Sequence, residues 1–167
     1  SIFSDKEFKN TIPFIAGLID EDRSCHPAVS EPEGSTVWKG KTIIYVDMDH
    51  TLCDYDAGYR DYQAQHPDIR YPQSVPGFFE ALTPIEDAID TYRWLHEHPQ
   101  LAVFVLAAPS VKNPHCYSEK RLWVEKHLGM DVVKRLIISP HKGLNKGDYL
   151  IDDSDSGRGQ EDFEGAL

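Results

Sequence analysis

The sequence predicts an α/β fold of three layers, built on a doubly wound, mostly parallel sheet with a small helical cap insert after the first core strand. Three observations carry this. Ile43–Val46, Leu101–Leu106, Leu136–Ile138 and Tyr149–Ile151 are short apolar runs rich in β-branched residues, the pattern of buried strands. Stretches of helical period lie between them, and strands alternating with helices imply parallel pairing with crossovers. The first and last runs end abruptly in acids, Asp47 and Asp49 in one case, Asp152 and Asp153 in the other. Open α/β sheets gather their chemistry at that edge.

Phe8, Ile12, Ile15 and Ile19 recur at helical spacing, with Pro13 as an interruption, so residues 1–40 read as an N-terminal extension packing on the core. Residues 27–36 are rich in Pro, Glu, Ser and Gly and read as its loop into the first strand. The core then runs over 41–167. Tyr55, Tyr59 and Tyr62 share a face of a short helix over 54–65, and the proline-rich piece that follows reads as irregular, giving a cap at about 55–82. Thr83 reads as a helix cap with Pro84 at the first helical position, and Ile85, Ala88, Ile89, Tyr92 and Leu95 continue the period. After the second strand, Ser118 reads as the cap of a helix through Leu128, with Gly129 as its stop.

Composition bounds the function. A length of 167 residues and 40% hydrophobic content suit one domain with a sizeable core. With 28 acids against 17 bases, the net charge of −11 argues against binding a nucleic acid polymer. A small phosphate ester is repelled as well, so a phosphate site must bring its own local positive charge. Cys25, Cys53 and Cys116 show no paired metal-ligand spacing, which points to a reduced, cytoplasmic protein. The longest apolar run, Leu101–Ala108, is too short to span a bilayer, and no basic-then-apolar leader opens the chain, so no membrane partner is expected.

Alternate residues of a strand share a face, so Asp47 and Asp49 point together while the strand lasts and stay close as the chain turns out of the sheet. Two crowded carboxylates repel unless a cation joins them, and Mg²⁺ suits carboxylates plus phosphate oxygens. Lys142, in the loop before the fourth strand, supplies positive charge to the same edge. Acids from two strand ends with one lysine make a metal-and-phosphate site.

Asp47-x-Asp49-x-Thr51-Leu52 after an apolar strand resembles the first motif of the haloacid dehalogenase superfamily of phosphotransferases. The second half is more specific. Ala108-Pro109-Ser110 through His115-Cys116-Tyr117, then Glu119-Lys120 and Trp123 to Gly129, is similar to the 5′(3′)-deoxyribonucleotidases, as is Leu150-Ile151-Asp152-Asp153 with Gly159-Gln160-Glu161. The resemblance implies a Mg²⁺-dependent phosphomonoesterase acting on nucleoside monophosphates, 5′(3′)-deoxyribonucleotides foremost. By it Asp47 is the nucleophile that becomes an aspartyl-phosphate and Asp49 the acid/base. Lys142 steadies the nucleophile and the phosphoryl group, while Asp47, the Asp49 carbonyl and the Asp152–Asp153 pair hold the metal. Tyr55 matches an aromatic that stacks on the base, Phe78-Phe79 resembles an aromatic pair of the pocket, and Ala108 is expected among the substrate-binding residues.

Two residues near the motifs depart from that pattern. His50 replaces the usual glycine; histidine tolerates unusual backbone angles better than most residues. Ala107 stands where the family carries Ser or Thr, so a phosphate oxygen loses a donor of a kind worth roughly 10² to 10³ in rate. A threonine at this strand end is expected to be tolerated and to restore it. The departure keeps two alternatives open: a phosphatase for another small phosphorylated metabolite, and a phosphate- or metal-binding domain of the same fold with poor turnover.

Overall fold

The computed structural model describes residues 38–167. Residues 1–37 of the expected extension lie outside the described residues. The four apolar runs form the four strands of one parallel sheet: β1 (Thr42–Val46), β2 (Leu101–Ala107), β3 (Leu136–Ile138) and β4 (Tyr149–Ile151). Their order is β3-β2-β1-β4. The chain steps outward from β1 to β2 to β3 and then returns to the far side of β1. That reversal leaves a crevice at the carboxyl ends of β1 and β4, where such sheets bind ligands.

Register follows the side-chain pattern. Tyr45 pairs with Phe104 and Leu150, and Leu106 with Ile137, so these residues share a face and form one apolar cluster against which Phe163 packs. Ile44, Val46, Val103 and Val105 fill the opposite face and are essentially inaccessible. Burial on both faces explains why β1 and β2 are continuous apolar runs without polar alternation.

Beyond Val46 the chain turns tightly. The amides of Leu52 and Cys53 both donate to the Met48 carbonyl at 2.9 Å, and His50 takes φ of 61°. This is the left-handed conformation that a glycine would adopt without strain, so His50 fits the turn at a modest cost. Helix α1 (Tyr55–Gln65) follows, capped by the Asp54 carboxylate accepting from the Ala57 amide at 2.9 Å. Gly58 inside it is required by a close approach, because a Cβ there would lie 2.3 Å from Leu82 Cδ2. A short 3₁₀ turn over Pro72–Ser74 and the turns through Ala81 complete the insert.

Two helix starts differ from expectation. Helix α2 spans Ala88–Glu97, and Thr83-Pro84 does not cap it. Asp54 donates its amide to the Thr83 carbonyl at 2.8 Å and Ile85 to the Leu52 carbonyl at 2.9 Å, so Thr83–Ile85 runs extended beside the β1 turn. Tertiary pairing wins over local capping here, helped by the extended bias of a residue before proline. Helix α3 spans Cys116–His127, so Ser118 lies within its first turn; no side chain caps it. Gly129 does end the helix, with φ of 100° and its amide returned to the Val124 carbonyl at 3.1 Å. A one-turn helix α4 (Met130–Val133) leads into β3. The crossover from β3 to β4 contains no α-helix, only a 3₁₀ turn at Lys142–Leu144, in which Lys142 is buried. Near the C-terminus, the Ala166 carbonyl accepts from Leu150 and its amide donates to Asp148, both at 2.8 Å, along the outer edge of β4.

No helix among the described residues is long and apolar enough to cross a membrane.

Candidate active site

The Asp47 amide donates to the Ile151 carbonyl at 2.8 Å, so the pairing of β1 with β4 continues to the last residue before the turn. The adjoining strand ends therefore deliver their acids to one place. Asp47, Asp152 and Asp153 each offer a carboxylate oxygen within 4.8 Å of the others. Lys142, 1% exposed, bridges two of them, with Nζ 2.6 Å from Asp47 and 2.5 Å from Asp152. Asp152 is held further by the Ser154 amide at 3.1 Å and by Gln160 Nε2 at 3.3 Å from both of its oxygens. The 3₁₀ turn is itself fixed, since Lys142 donates its amide to the Arg158 carbonyl at 2.7 Å.

Crowding shows in the protonation energetics. Burial, with repulsion from Asp152 and Asp49, outweighs Lys142 and pushes Asp47 up to about 7 from an ordinary 3.8. Burial and the neighbouring Asp152 also raise Asp153, opposed by His50 and Lys142. Three clustered carboxylates served by one shared lysine form a donor set that a hard divalent cation fits.

Asp49 stands apart from the trio. Its Oδ2 lies 2.7 Å from Nζ of Lys120, a lysine with no solvent exposure on α3. Burial alone would lower the Lys120 pKa, but the charges of Asp49 and Asp47 outweigh it and hold the ammonium above its usual range. The sequence reading assigns Lys120 no role; it stands there only within the segment similar to the 5′(3′)-deoxyribonucleotidases. The structure gives each lysine its own carboxylates, and the helical spacing of Cys116, Lys120 and Trp123 on a buried face was the available signal.

A cavity of about 710 Å³ opens over these acids. Tyr55, Phe79 and Tyr71 line its aromatic side, and Ala108, Ser110, Lys112 and Arg158 stand among its other walls. Phe79 reaches the cavity but Phe78 does not line it; Phe78 is 3% exposed and packs edge-on against Tyr55 at 5.4 Å between ring centres. Ala107 is wholly buried and outside the lining, whereas Ala108 is part of it. The free Cys53 and Cys116 are buried, with Cys53 Sγ 3.3 Å from the Met48 carbonyl and Cys116 Sγ accepting from the Ser110 amide at 3.2 Å.

Residues 66–165 match the family described as 5′ nucleotidase, deoxy (Pyrimidine), cytosolic type C protein. A human protein named 5′(3′)-deoxyribonucleotidase, cytosolic type, is 35% identical over 148 residues, covering 71% of this chain and 74% of its own. A Vibrio phage KVP40 protein, provisionally named a 5′(3′)-deoxyribonucleotidase, is 39% identical over 68% of this chain and 66% of its own. The mouse mitochondrial 5′(3′)-deoxyribonucleotidase is 27% identical over 66% of this chain and 63% of its own. With a parallel α/β sheet bearing paired acids at the β1 and β4 ends, and a family match over well over half its length, the chain belongs to the cytosolic type C 5′(3′)-deoxyribonucleotidase family.

Proposed function

We propose that the protein is a Mg²⁺-dependent phosphomonoesterase that hydrolyses deoxyribonucleoside monophosphates through an aspartyl-phosphate on Asp47. One observation carries the reading: Lys142 holds Asp47 and Asp152 together at the crevice between β1 and β4, with Asp153 beside them. A carboxylate fixed by a lysine at a strand end is oriented for attack on phosphorus, and fixing it lowers the entropic part of the barrier. Asp47, Asp152, Asp153 and the main-chain carbonyl of Asp49 would hold the metal, which when bound supplies charge neutralisation to the phosphoryl oxygens. Asp49, steadied by Lys120, protonates the leaving oxygen and afterwards takes a proton from water, work that contributes about 10² to 10⁴ in rate. Lys142 offers its charge to the phosphoryl group. Tyr55 and Phe79 supply stacking faces for the base, Phe78 backs them, and Ala108 borders the phosphate.

The insert at about 55–82 acts as the cap, and the setting is cytoplasmic, as for the human relative's named type. Phosphate release from deoxyribonucleotides, ribonucleotides and sugar phosphates, with Mg²⁺ and with chelator, tests the proposal. Metal-dependent release strongest on deoxyribonucleotides is expected; release strongest on a sugar phosphate overturns the substrate class. A second reading, a poorly active phosphate- or metal-binding domain, is favoured by the two alanines at the end of β2, which bring no hydroxyl to the cavity. Tight Mg²⁺ and phosphate binding without turnover on any substrate would establish it.

A further inference from the structure

Away from the charged cluster, two buried polar side chains tie the insert to the core. Glu119, 4% exposed on α3, makes no ion pair among the described residues. Its Oε1 instead accepts from the Gly77 amide at 2.7 Å and its Oε2 from the Phe79 amide at 3.1 Å. Asn113, 1% exposed, places Nδ2 3.4 Å from both of those oxygens and donates to the Val75 carbonyl at 3.1 Å. A turn later, Trp123 donates its indole N–H to the Leu82 carbonyl at 2.7 Å. Helix α3 thus reads out the backbone of the insert along one face.

The segment that Glu119 grips carries the rings of the cavity. Gly77 sits at φ of 90°, a conformation that a side chain would strain, and at this bend the amides of Gly77 and Phe79 meet the carboxylate while that of Phe78 donates to the Val75 carbonyl. Phe79 lines the cavity, Phe78 stands edge-on to it at 5.2 Å, and Phe78 in turn meets Tyr55 at 5.4 Å. Lys120, the next residue of α3, lies 4.8 Å over the Phe79 ring while its ammonium holds Asp49. Neighbouring residues of one helix therefore fix the ring wall and the proposed acid/base. A buried carboxylate is a costly fastener for a loop that apolar packing could hold. What its directional bonds add is a set position for the amide of the ring that faces the ligand.

We propose that Glu119 is a positioning residue that holds the Phe78–Phe79 turn so that Phe79 and Tyr55 accept a stacked nucleobase, with no part in phosphoryl transfer. This rests on the nucleotidase reading. Steady-state kinetics of Glu119→Gln and Glu119→Ala, with thymidine 5′-monophosphate and with acetyl phosphate, which has no base, tests it. The glutamine keeps the volume and one acceptor oxygen but faces one amide N–H with a donor, so it carries the test if the alanine variant does not fold. Expected is a rise in KM of about tenfold for the nucleotide, the scale of one weakened base-stacking contact. The kcat on the nucleotide and the kcat/KM on acetyl phosphate should stay within about twofold. Equal losses on both substrates, or an unchanged nucleotide KM in a folded variant, overturn the assignment of Glu119 alone. A wild-type protein inactive on both substrates overturns the nucleotidase reading and this one with it.

Discussion

Asp47→Asn separates chemistry from stability in opposite directions. Asp47 is 5% exposed, and burial together with Asp152 and Asp49 lifts its carboxyl from 3.8 to about 7 against the pull of Lys142. A carboxyl with a raised folded pKa binds its proton more tightly in the folded state. Its favourable contribution is full below the unfolded value of 3.8 and is lost as pH rises through about 7. One pKa unit corresponds to about 1.4 kcal/mol, so holding Asp47 ionised costs the metal-free fold on the order of a few kcal/mol. Asparagine removes that cost, keeps the volume, and leaves Lys142 paired with Asp152 at 2.5 Å. For a chain of this size 1 kcal/mol moves Tm by roughly 2 to 4 °C. Thermal unfolding in chelator at pH 8 should therefore show Asp47→Asn about 5 to 10 °C above wild type, with the gap closing towards pH 4. Turnover with Mg²⁺ should fall below about one thousandth of wild type, because an amide cannot form the acyl phosphate. A variant less stable than wild type at pH 8 would falsify the crowding argument, and retained turnover in the folded variant would refute the covalent one.

Lys120→Met keeps the buried stem but strips Asp49 of its cation. Breaking a buried pair costs about 3 to 5 kcal/mol, and the 24% exposure of Asp49 sets the lower end as the expectation, read as reduced Tm. Turnover of alkyl phosphates, whose leaving group needs a proton, should drop by about 10² while acetyl phosphate is affected far less; equal losses on both would assign Lys120 to packing only. At the end of β2, Ala107→Thr adds two heavy atoms where nothing is exposed and should cost about 1 to 3 kcal/mol with no gain in rate, contrary to the sequence expectation that it is tolerated. Ala108→Ser, which faces the cavity, is the change that should raise turnover; a stable and faster Ala107→Thr protein would show that the residue 107 side chain reaches the phosphate after all.

What the chain by itself determined was the sheet and its edge. Four apolar runs, too short for helices and bounded by turn residues, became four parallel strands, because burial on both faces leaves a β-branched run few alternatives. Asp47, Asp152 and Asp153 were legible for the same reason: charge that interrupts a buried strand has to emerge at its end. Lys142 was legible from its place one loop before β4. Tertiary structure alone decided the partners. Which lysine meets which acid depends on the burial of α3 against the β1 turn, and no local pattern ties Lys120 to Asp49 across 71 positions of chain. The extended pairing of Thr83–Ile85 overrode a capping signal that was locally sound, because amide and carbonyl groups beside a buried turn must be satisfied. The grip of Glu119 on Gly77 and Phe79 spans about 40 residues and was hidden likewise, since a helix's buried polar face becomes visible only once the backbone it satisfies has been folded against it.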